Sequence, residues 1–264
     1  MDQQKEAPRA FNREMYHDEP ENVFYGTDDG AQDGSFAEFK QFEDHYNNVD
    51  PQRREDIHMI SVVGGMYGLN MLPLWKPTRI TIFDINPAAV SYFKIVRRNF
   101  INSDSADEFL QHLADGDYAV ENEQEEFIRE NIRLKSRDEL PRSRGSSKRS
   151  FEQSWKIALD NFALTKQLLT DVPLEIRTEP MESASFSQYI KQQNNLWIYA
   201  SNITQFHFFN LELDDPSNVV ILQIIHPEKP QLLDLAPMGG KPVKLNVEIP
   251  LSAQYLNEAA TVGA

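Results

Sequence analysis

The feature that most narrows what this chain can fold into is a glycine cluster set between two short apolar runs. IHMISVV (57–63) is mostly apolar and rich in β-branched residues, which reads as a buried strand. Gly64-Gly65-x-x-Gly68 follows at once, and a second apolar run, RITIFDI (79–85), carries an acid, Asp84, near its end. Between them MYGLNMLPLW (66–75) predicts a helix opening stopped by Lys76-Pro77. NPAAVSYFKIVRRNF (86–100) then predicts a helix, because Asn86 is a good N-cap, Pro87 suits the first helical position, and Ala89, Tyr92, Phe93 and Val96 form an apolar face. Strand, glycine turn, helix, strand, helix is the start of an α/β fold. We expect a Rossmann-like, mostly parallel sheet with flanking helices.

The glycine turn has a chemical reading. Residues without Cβ let a turn hug a ligand, and the helix opening there points N–H groups into the crevice. An acid at the second strand end is where doubly wound nucleotide-binding sheets hold ribose hydroxyls, since one carboxylate can accept from both. The alternative is an α/β turn that needs glycine for its own geometry. GGMYGLN does not fit the dinucleotide spacing GxGxxG, and no GxxxxGK[ST] is present, so a ligand without phosphates suits the turn better than a phosphorylated one.

VVGGMYGLNMLPLW together with ITIFDINPAAV resembles the first two motifs of class I S-adenosylmethionine-dependent methyltransferases. The resemblance covers roughly 57–203 and is most specific in FDINP (83–87). It implies that Gly64, Gly65 and Gly68 line the methionine part of S-adenosyl-L-methionine, that Asp84 holds the ribose and that Ile85 flanks the adenine. It also implies a place for Glu182 near the adenine amine and a substrate-facing strand end at Ser201-Asn202. Two features depart from the pattern. Ser61-Val62-Val63 stands where most members carry an acid, and no Asn-Pro-Pro-Tyr follows the fourth strand. The SNIT end (201–204) and the G-x-N-x-L-P of 68–73 look somewhat like the aminocarboxypropyltransferase branch, of betaine-lipid synthase or nicotianamine synthase type.

The expected activity is therefore transfer from S-adenosylmethionine to a small-molecule acceptor, methyl transfer by default, with 3-amino-3-carboxypropyl transfer as the alternative. A non-catalytic nucleotide-binding or scaffold protein on the same fold is the alternative of another class, favoured by the missing acid. A nicotinamide-dependent oxidoreductase fits the glycine spacing poorly. Asn202, Tyr67, Tyr25 and His207 are the candidates for orienting or deprotonating the acceptor. Asn202 equally suits a turn or cap, Tyr67 could pack on its helix, and His207, in TQFHFF, equally suits a packed aromatic cluster.

The remainder of the chain sets the organisation. Phe36, Phe39, Phe42 and Tyr46 recur at helical spacing, so residues 1–56 predict a helical N-terminal arm that either docks on the core or closes over a ligand. Residues 57–264 form the expected S-adenosylmethionine-binding domain, interrupted at 102–150 by a polar, partly helical insertion. That insertion ends in the basic stretch Lys135–Arg149, either a solvated connector or the contact for an anionic acceptor. Residues 151–171 predict one helix and 184–193 another; LEIRTEP (174–180), LWIYASNI (196–203) and VVILQIIH (219–226) predict strands, and VKLNVEI (243–249) a strand at the sheet edge.

Composition removes several functions. The formal charge of -15 disfavours a nucleic-acid coat and anionic membrane surfaces. With no cysteine there is no thiolate zinc site or cysteine nucleophile, and the cytoplasm is the expected compartment. His17, His45 and His58 lack metal-ligand spacing, no HExxH or GxSxG occurs, and no membrane span or signal peptide is expected.

Overall fold

The computed structural model describes residues 37–136, 151–179, 184–201, 209–213, 219–225, 229–235 and 243–247. Its centre is a six-stranded sheet. The strands are β1 (His58–Val62), β2 (Arg79–Asp84), β3 (Leu174–Thr178), β4 (Leu196–Ser201), β6 (Val219–Ile225) and β7 (Lys229–Asp234). They lie in the order β3-β2-β1-β4-β6-β7. The first five are parallel, and β7 returns antiparallel on β6. Five parallel strands flanked by helices make a Rossmann-like arrangement.

Register assigns the two faces. His58, Arg79 and Leu196 are partners, as are Thr81 and Glu175, so these positions share one face with Ile60, Phe83 and Ile198. Helix α9 (Ala184–Lys191) covers this face, with Phe186 against Phe83 at a ring separation of 4.8 Å. The opposite face carries Met59, Ser61, Ile80, Ile82, Trp197 and Tyr199. Against it lie α2 (Met71–Trp75), α3 (Pro87–Asn102) and α8 (Phe162–Asp171), with Trp75 edge-on to Trp197 at 5.4 Å. Parallel strands buried on both faces must be apolar almost throughout, which is why β1 has no exposed residue. Each fully buried large aliphatic or aromatic side chain contributes about 1.5–3 kcal/mol.

Local chemistry produces the expected cap on α3, where Asn86 Oδ1 accepts from Ala88 N at 2.9 Å. The expected polar insertion has an apolar inner face. Helices α4 (Ala106–Asp115) and α5 (Glu123–Ser136) bury Phe109, Leu113, Ile128 and Ile132 in the common core. Phe100 stacks on Phe162 at 4.5 Å and packs on Phe109 at 4.6 Å, which joins α3, α4 and α8.

Two expectations need correction. The helix read over 151–171 is broken into α6 (Phe151–Ser154), α7 (Lys156–Asp160) and α8, because Trp155 and Asn161 leave the helical conformation. The strand VKLNVEI does not join the main sheet. As β8 (Val243–Val247) it pairs antiparallel with β5 (Phe209–Leu213) in a separate two-stranded sheet. The edge beyond β6 is instead β7, whose Pro230 is tolerated because an edge strand need not donate on both sides.

The arm docks as α1 (Ala37–Asn48), with Phe42 in the core. A 3-10 turn, Pro51–Arg54, follows it. Arg53 grips Asp234 of β7 with two nitrogens at 2.7 and 2.9 Å, and His45 Nε2 reaches the same carboxylate at 3.0 Å. Asp234 pairs with Val220 near the start of β6, so this clamp sits at the amino ends of the parallel strands, away from the glycine turn.

Candidate functional site

The order of the parallel strands reverses between β1 and β4, and ligands of such sheets bind outside the carboxyl ends at that switch point. The glycine turn leaves β1 there. Val63 N donates to Phe83 O at 3.1 Å, and Met66 N closes the turn on Val63 O at 2.6 Å. Gly64 has φ +31° and Met66 φ +64°. A left-handed conformation is costly for a methionine and concentrates at functional turns. Here it accompanies complete burial of the side chain. The turn continues as a 3-10 segment, Gly64–Asn70, that runs into α2.

Gly68 lies in this segment against the sheet. A Cβ there would overlap Ser61 Oγ and stand 3.2 Å from Ser61 Cβ and 3.3 Å from the Tyr199 ring. The third glycine thus serves the close approach of the segment to β1 and β4. Tyr67 is buried, its ring tilted on Tyr199 at 5.8 Å. Beneath the turn, Met66, Val62, Ile82 and Phe93 surround an apolar void of about 10 Å³, room for no more than a water.

Asp84 is the last residue of β2 and is half-buried. Its Oδ1 accepts from Asn86 N at 2.9 Å, and the backbone N–H groups of Ile85 and Gly64 lie near enough to favour its charged form. The bond from Val63 N to Phe83 O joins the tips of β1 and β2. Burial outweighs these three donors and pushes the Asp84 carboxyl up to about 6. Ile85, beside it, is half-buried. Gly64, Gly65, Asp84 and Ile85 are therefore gathered at one place. Ser201 closes β4 next to an irregularity in its pairing with β6 between Tyr199 and Ser201; such irregularities are frequent beside sites. Tyr25, Glu182, Asn202 and His207 lie outside the described residues.

Two groups escaped the sequence reading. Asn70 is fully buried, and its amide reaches three backbone groups of the α6–α7 junction. A lone asparagine inside LNMLPLW was the available signal. His58 is buried on the other face, with Nε2 2.8 Å from Thr81 Oγ1, which meets Tyr189 OH at 2.7 Å. Tyr189 OH donates in turn to Glu175 at 3.0 Å. Burial, and after it the Arg79 charge, lowers His58 to about 4.

Among the described residues no group of three or more His, Asp or Glu could hold a metal ion, and no helix is long and apolar enough to cross a membrane. No protein-family model matches the chain, and no curated protein matches it.

Proposed function

We propose that this protein is an S-adenosylmethionine-dependent transferase that moves a methyl group to a small-molecule acceptor. The observation that carries the reading is the position of Asp84. It stands at the end of β2, next to Gly64 of the glycine turn, beside the switch point of the sheet. Two carboxylate oxygens offer about four acceptor positions, so the bond from Asn86 N leaves capacity for ribose hydroxyls.

The ligand's charge fits the same geometry. Glycine turns that bind phosphates present free N–H groups to an anion. Here Gly64 N–H already faces a carboxylate, which opposes a phosphate and tolerates a cationic sulfonium. When bound, S-adenosylmethionine supplies a sulfonium whose adjacent carbons are open to nucleophilic attack. The chain's part is to hold the cofactor through Gly64, Gly65, Asp84, Ile85, Glu182 and Ser201, and to set the acceptor in line through Asn202 and Tyr25. Tyr67 supports the turn from the core rather than touching the acceptor.

Isothermal calorimetry with S-adenosylmethionine and S-adenosylhomocysteine tests the reading: heat of binding is expected, and none at millimolar ligand would leave a non-catalytic protein on this fold. Product mass spectrometry separates the two transfers. S-adenosylhomocysteine marks methyl transfer, and methylthioadenosine marks aminocarboxypropyl transfer.

A further inference from the structure

We infer that Asn70 is a positioning residue for the glycine turn, which it anchors to the junction between α6 and α7. Its Oδ1 accepts from Ile157 N and Ala158 N, both at 3.1 Å, and its Nδ2 donates to Ser154 O at 2.8 Å. These three backbone groups are available because the helix breaks at Trp155. An asparagine amide can accept two bonds and donate one here; an aspartate can only accept, and an alanine can do neither.

Asn70 ends the 3-10 segment whose opening turn is closed by the bond from Met66 N to Val63 O, beside Asp84. Between them Gly68 lies so close to Ser61 that an added Cβ would overlap its Oγ. The seven-residue segment is thus held at both ends and in its middle. A displacement at Asn70 cannot be absorbed along it and reaches the turn. With its amide fully engaged inside the core, Asn70 touches no ligand and acts through Gly64 and Met66.

The test is amide hydrogen exchange on the full chain, first without ligand. In Asn70→Ala, exchange at Ile157 and Ala158 is expected to rise at least tenfold, and exchange at Gly64 and Met66 to rise with it. Met59 and Ile60 in β1 are expected to stay protected, which a general loss of stability would not allow. Parent-like exchange at Gly64 and Met66, with protection lost at Ile157 and Ala158, overturns the assignment. Asn70→Asp retains the two acceptor contacts and replaces the donor. It carries the same comparison if the alanine variant does not fold, with faster exchange at Gly64 and Met66 again expected and parent-like exchange there again decisive against.

The consequence for ligand rests on the transferase reading: affinity for S-adenosylhomocysteine is expected to fall about tenfold in either variant. If the parent binds no S-adenosylhomocysteine, the transferase reading fails, while the ligand-free exchange still decides the role of Asn70.

Discussion

Gly68 lies against Ser61 with no room between them for a methyl group. Gly68→Ala should therefore destabilise the fold by about 1–3 kcal/mol, the usual cost of overpacking a tight core. Because the overlapping atom is Ser61 Oγ, the double variant Ser61→Ala/Gly68→Ala should recover a substantial part of that loss. Urea denaturation of the four proteins measures it, and strictly additive losses would show that the contact is not the cause.

Asp84→Ala should weaken binding of S-adenosylhomocysteine by about 1–3 kcal/mol, the cost of leaving buried polar partners unpaired. Calorimetry on the folded variant reads this directly. Unchanged affinity would remove Asp84 from the ribose.

Buried His58 and half-buried Asp84 should pull stability in opposite directions. His58 falls from 6.5 to about 4, so between those values the unfolded chain binds the extra proton and stability rises with pH. Asp84 rises from 3.8 to about 6, so there the folded chain binds the extra proton and stability falls with pH. Each contribution is on the order of 3 kcal/mol, and they nearly cancel between pH 4 and 6. Relative to the parent, Asp84→Asn should gain a rising slope in that window and His58→Gln a falling one. Denaturation midpoints across pH 4–7 give both slopes, and identical profiles for all three proteins would refute the pairing.

Asp234 receives both Arg53 nitrogens and His45 with about a quarter of its side chain exposed. A double-mutant cycle of Arg53→Ala and Asp234→Ala should return a coupling energy of about 1–2 kcal/mol, above that of a surface ion pair. Partial burial should preserve most of it in high salt. A coupling near zero would reduce the clamp to a crystal-clear case of geometry without energy.

Local signals were legible in the sequence, and distant ones were not. β1, β2 and the Asn86 cap of α3 follow from β-branched runs and one Asn-Pro step. β7 was hidden by Pro230, a strand breaker everywhere except at an edge. The groups freed by the break at Trp155 are met by Asn70, 88 residues from Ala158, and helical periodicity alone reads through such a break. At the site, the association of Gly64 with Asp84 was legible because each ends or follows an adjacent strand. The burial of Tyr67 and the packing duty of Gly68 were not, since both depend on Tyr199 of β4.

The strand order also governs how the fold can be reached. β1 is the first sheet strand along the chain, yet it lies inside the sheet, pairing His58 with Arg79 on one side and Leu196 on the other. Arg53 finds Asp234 across 181 residues. Such separations slow folding, because loop closure must precede the contacts that reward it. During synthesis the β1–β2 pair must wait with an open, apolar edge until β4 emerges, an interval in which it can recruit another chain. Anything that shields that edge has to act before β4, the fourth strand of the sheet in chain order, exists.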